Sequence, residues 1–252
     1  MTLILTSILF VAIFSAIGVG LFCLFKTLIF HQLSTDTREL AGSGLFRVAS
    51  IHAFIVGLVF SHLVADFSSV QDQVNQEAST LLSISKLLNE FGGAQAKALI
   101  SETQEYLENL HYQIENEIND DDRKFEKTAM KFHLRAGDLE PMGQLQELIK
   151  VQILQQSEIL IKNQIQRVGK TYDQGAIIFI AYYFLGFIII LLFMSINSIN
   201  KQNLAIIGVF SGFIGLTTIF IFALSDPYKR PGKVSPKAYL NAASHIETRL
   251  SN

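Results

Sequence analysis

ASIHAFIVGLVFSHLVADFSSVQDQVNQEASTLLS, residues 49–83, reads as a helix that crosses a membrane and continues into water. Small residues recur at every fourth position, at Ala49, Ala53, Gly57, Ser61, Ala65 and Ser69. That ladder gives one wall on which a neighbouring backbone can approach closely. A second set, spaced by threes and fours, is His52, Ile55, Val59, His62, Asp66 and Ser69. At 100° per residue its membrane part spans an arc of about 100°. Bare hydrocarbon tolerates histidine and aspartate poorly, so this wall is expected to face protein or water.

The rest of the chain fits that reading. Of 252 residues, 50% are hydrophobic and only 17% charged, against about 25% charge in soluble domains. Met1–Phe25, Ala176–Asn200 and Leu204–Leu224 are apolar runs of membrane-spanning length, and Val48–Ala65 is a fourth, shorter one. The first run lacks a basic leader and exceeds the apolar core of a signal peptide, so it is read as a retained helix. Lys26–Gly44 reads as a polar connection closed by the turn Gly42-Ser43-Gly44. Beyond Asp66, the apolar residues Phe67, Val70, Val74, Ala78, Leu81 and Leu88 form a coiled-coil-like seam, broken at Gly92-Gly93.

Further helices are expected over Ala94–Ile118, Arg123–Arg135 and Gln144–Lys170. The fold class is therefore all-α: four transmembrane helices with an extramembrane helical bundle between the second and third. Its parts are a first helix pair (1–66), a helical domain (67–173), a second pair (174–225) and a basic tail (226–252). The last span carries the small-residue face Gly208, Gly212 and Gly215, which argues for a close helix contact. Lys229, Arg230, Lys233 and Lys237 follow that span closely. They place both termini and the helical domain in the cytoplasm of a multi-pass plasma-membrane protein.

Chemistry-bearing motifs are few. There is one cysteine, and no two histidines stand at zinc-ligand spacing. No phosphate-binding, hydrolase or dinucleotide signature is present, so neither enzyme activity nor a metal or cofactor is expected. Charge is near balance and gives no reason to expect nucleic acid. Asn119-Asp120-Asp121-Asp122 reads as an acidic cap on the following helix rather than a cation site. The basic tail either touches anionic lipid or only fixes topology.

The polar wall leaves two readings. In one, copies of the second span assemble around a conduit with membrane lipid outside and inorganic ions within. Ile55 and Val59 then gate it by dewetting, and the His62–Asp66 pair makes it pH-sensitive. In the other, the same groups are interhelical glue in a non-conducting scaffold or signalling protein that acts through its helical domain. A transporter ranks third, because internal repeats and broken helices are lacking.

Two segments resemble the bacterial bestrophin-like membrane family. One is the apolar helix from Gly57 leading through Phe67 and Val74 to Glu77-Ala78. The other is the exit from the last span, with Asp226-Pro227-Tyr228, Gly232, Val234-Ser235-Pro236 and Tyr239. Here Asp226 abuts the proline directly, and an aliphatic residue near Val64 replaces the usual tryptophan. The resemblance implies a homo-oligomeric membrane protein similar to bestrophin anion channels. Bestrophins place phenylalanines at a pore neck, a part that Phe54 or Phe60 would take.

Overall fold

The computed structural model describes residues 2–29, 35–117, 122–171, 175–229 and 231–250. The described residues contain helices and no strand. They form α1 (Thr2–Leu28), α2 (Thr35–Phe91), α3 (Gly93–Glu115), α4 (Asp122–Gly137), α5 (Gln144–Thr171), α6 (Gly175–Met194), α7 (Lys201–Ser225) and α8 (Lys237–Leu250). Two compact units result. The first takes Met1–Ala65, Gln174–Asp226 and Arg230–Gly232; the second takes Asp66–Asp173, Pro227–Lys229 and Lys233–Asn252.

In the first unit, α1, the early part of α2, α6 and α7 surround a core of Phe22, Leu63, Tyr183, Phe187, Leu191, Ile207, Ile214 and Ile221. By length and composition α1, α2 and α7 can each cross a membrane, whereas the described apolar stretch of α6, Ile178–Met194, is shorter. α1 packs closest to α7. A Cβ on Gly215 would stand 2.7 Å from the Phe10 carbonyl oxygen and 2.7 Å from Phe14 Cβ, so only glycine lets these backbones approach. Asn200 starts α7 by accepting the Asn203 N–H at 2.8 Å, which satisfies one of the free donors of its first turn.

The start of α2 differs from the sequence expectation. Gly42, Ser43 and Gly44 are helical, and the helix runs back to Thr35. The reason is a contact: a Cβ at Gly44 would come within 3.0 Å of the Phe193 ring. Glycine there permits close packing, which offsets its intrinsic cost of about 1 kcal/mol in a helix.

The second unit is a helical bundle built on the seam of α2. Val70, Val74, Ala78, Leu81, Ile84 and Leu88 are buried against α3, α4, α5 and α8. α2 ends at Gly92 and Gly93, whose φ values of 74° and 85° lie in the left-handed region that glycine enters without strain. The prolines of the tail keep 227–236 out of helix, and α8 then lies along α3. The acidic run 119–122 falls mostly outside the described residues, as does His31.

Candidate functional site

α2 presents two contrasting sides in the first unit. Its packed side carries His52, Val56, Val59 and Leu63, turned toward α6 and the core. His52 is 6% exposed, with its ring centroid 5.8 Å from those of both Tyr182 and Tyr183. Its ring occupies the space that a Cβ on Gly186 would need. Neither ring nitrogen has a hydrogen-bond partner among the described residues.

The open side carries Ser50, Phe54, Gly57, Ser61 and Ala65, all exposed. At 100° per residue these five fall within about 80° of one another, opposite His52 and Leu63. Arg47, also exposed, stands seven residues before Phe54 and so on the same side. Phe54 is 68% exposed and is the one large apolar group among the five.

The sequence-predicted wall is thus divided. His52 lies inside the helix packing of a single chain. Ile55, Val59 and Phe60 are half-buried, as is Ala49. His62 is exposed, and Asp66 and Ser69 are half-buried. Of the small-residue ladder, Ala53, Gly57, Ser61 and Ala65 are exposed. On α7, a Cβ at Gly212 would meet Ser15 Oγ at 2.7 Å, while one at Gly208 would find only Val19, at 3.8 Å.

The second unit holds a charged centre that periodicity alone does not reveal. Glu77 on α2 and Arg167 on α5 are both buried. Arg167 Nε–H donates to Glu77 Oε1 at 2.9 Å, and the Tyr239 hydroxyl donates to Glu77 Oε2 at 2.6 Å. Arg167 Nη1 donates to the Tyr228 hydroxyl at 3.3 Å, and its guanidinium lies 5.9 Å from that ring's centroid. Burial is the largest influence on Arg167 and would lower its pKa, but the Glu77 carboxylate and the Tyr239 and Tyr228 hydroxyls together outweigh it and raise the pKa well above the ordinary arginine value. Burial, reinforced by Glu77, pushes the hydroxyls of Tyr239 and Tyr106 well above the ordinary tyrosine range. The centre is a fully engaged ion pair that fastens helix, helix and tail.

A family model, the bestrophin-like domain, matches residues 12–239. The chain belongs to the bestrophin-like family. Its fold is similar to two crystal structures of single-substitution variants of a bacterial bestrophin homologue from Klebsiella pneumoniae. Both are matched over 100% of each chain at 12% identity, with TM-scores of 0.61 and 0.60. No curated protein matches the chain.

The bestrophin-like residues at the exit of the last span each have a definite physical task. Asp226 is the residue at which α7 ends. The Pro227 carbonyl accepts the Val234 N–H at 2.8 Å, closing a loop. Gly232 passes so close to the Ala223 carbonyl that no side chain fits there. Ser235 pairs through its backbone with the Gln71 side chain, N–H to Oε1 at 2.7 Å and O to Nε2 at 3.1 Å. Pro236 is buried, and its carbonyl accepts the Tyr239 N–H at 3.0 Å. That turn directs the Tyr239 ring into the core, toward Glu77. Sequence reasoning does not single out Arg167, which is one of four basic residues on α5.

Proposed function

We propose that this protein is a homo-oligomeric membrane ion channel in which copies of α2 surround the conduit. Four helices cross the bilayer: α1, the first half of α2, α6 and α7. The twenty residues of α6 extend about 30 Å, enough for the hydrocarbon core. Both termini and the helical bundle lie in the cytoplasm, and the host membrane is the bacterial inner membrane.

The observation that carries this reading is the difference between outward faces. α1 exposes Ile4, Leu5, Ile8, Leu9, Ile13 and Ile17, and α7 exposes Ile206, Val209, Phe213, Phe220 and Phe222. Those faces suit lipid. The open side of α2 instead offers a strip of Ser50, Gly57, Ser61 and Ala65 around Phe54, flanked by the exposed apolar residues Phe46, Ile51, Leu58 and Val64. Small and hydroxylated side chains gain little from hydrocarbon, and they suit helix contact or water.

In the assembled channel Phe54 forms the narrow apolar ring, taking the part of the neck phenylalanine, and it gates by dewetting. Ser50 and Ser61 line the conduit on either side. His62 borders it, and Asp66 and Ser69 continue the α2 wall. The half-buried Ile55, Val59 and Phe60 back the constriction, and His52 holds α2 on α6. Arg47 from each copy makes a positive ring at one mouth. Together with the resemblance to bestrophins, it favours anions.

Purified protein in vesicles is expected to pass chloride, with Phe54→Ala raising the flux several-fold and Arg47→Glu shifting the reversal potential toward cations. Vesicles that stay impermeable for both the parent protein and Phe54→Ala would remove the channel reading.

A further inference from the structure

α5 lies in the unit that holds Glu77 and Arg167, with Ile149, Ile153, Ser157, Leu160 and Gln164 buried on its inner side. Its outer side is apolar as well. Leu145 is 72% exposed, Leu148 64%, Val151 44%, Ile159 44% and Ile165 52%. Uncharged Gln152, Gln155 and Gln166 are exposed among them, and Glu147, Glu158 and Lys162 are the exposed charges between the two ends of that stretch. The steps Leu145, Leu148, Gln152, Gln155, Ile159 and Lys162 alternate three and four, the spacing of a helix-packing seam.

A helix with one buried side normally turns polar residues to water. α2 does so in this same unit, where Asp72, Asn75, Gln76, Ser79, Lys86 and Glu90 are exposed. α5 has apolar residues on both sides, and its own chain covers one of them.

We infer that the outer face of α5 is the extramembrane interface between copies of this chain. The size of the face selects the occupant. Leu145 to Ile165 extends about 30 Å at 1.5 Å per residue, and a helix with its side chains is about 10 Å wide, so the footprint is roughly 300 Å². A standard specific interface takes about 800 Å² per partner. This face alone is too small to capture a free soluble protein, but it suffices for a partner already held alongside. A second copy, kept adjacent through α2, is such a partner, so the inference rests on the proposed oligomer. In a closed ring each subunit meets its neighbour through unlike surfaces. The stripe therefore packs on a different face of the next copy rather than on its own equivalent.

The test uses the full chain in lipid nanodiscs with a benzophenone amino acid in place of Leu148 or, separately, of Ser61. Irradiation at either position is expected to give adducts of two chain masses, with at least a tenth of the chains joined. Joining at position 61 without joining at position 148, or adducts at 148 only to lipid, would overturn the α5 interface and leave the oligomer standing. No joining at either position would overturn both.

Discussion

Glu77 and Arg167 show how much one pair of side chains decides in the helical unit. Both are buried, and each carboxylate oxygen already has a partner. Arg167→Met strands a buried carboxylate and is expected to destabilise the unit by about 3–5 kcal/mol. Adding Glu77→Gln should recover part of that loss. Thermal unfolding in detergent checks both, and a double variant as unstable as the sum of its singles would contradict the pairing. Tyr239 and Tyr106 supply a pH test. Their pKa values are raised in the folded state, so the stability they contribute is complete below the ordinary tyrosine value of 10.0. It is lost as pH rises beyond that value. Ultraviolet titration should show two tyrosines that ionise only with unfolding, and ordinary titration of Tyr239 in the folded protein would sink the account of its burial. Glu77, Tyr228 and Tyr239 stood out in the sequence through the family pattern. Arg167, ninety positions from Glu77, did not, because one charged residue among several on a helix looks the same whether it faces water or a buried carboxylate.

Among the elements, α2 was the most legible in the sequence and also the most misread at one end. Its steps of three and four named the seam Phe67, Val70, Val74, Ala78, Leu81 and Leu88, of which all but the half-buried Phe67 are buried. Gly42-Ser43-Gly44 has the composition of a turn, yet it is helical because Phe193 lies against Gly44, and a contact with a residue so distant leaves no local trace. The division of α2 into packed and open sides was out of reach for the same reason. Periodicity groups His52 with His62, and only the position of α6 decides which of them is covered. At the α1–α7 contact, Gly215→Val would drive a side chain into the Phe10 carbonyl, a backbone atom that cannot swing aside. The expected cost is about 1–3 kcal/mol. It should appear as a lowered melting temperature and reduced yield of folded protein, whereas Gly57→Ala, with nothing within 4 Å in its own chain, should leave the fold intact.

At the scale of the whole molecule, a bestrophin-like chain combines apolar exposed faces on α1 and α7 with an α2 face on which a strip of small and hydroxylated residues runs between apolar ones. The all-helical class was legible from apolar runs and their spacing, because those signals are local. What the open face meets was not legible, since no described residue of the chain covers it. The most direct measurement is current through planar bilayers holding a Cys23→Ser, Ser61→Cys protein, before and after a charged, membrane-impermeant thiol reagent is added. Modification at position 61 is predicted to change unitary current strongly, while the same treatment of Cys23→Ser, Ile8→Cys, on the lipid-suited face of α1, leaves it unaltered. Currents that are indifferent to a modified residue 61, or equally sensitive to residue 8, would contradict the placement of α2 at the conduit.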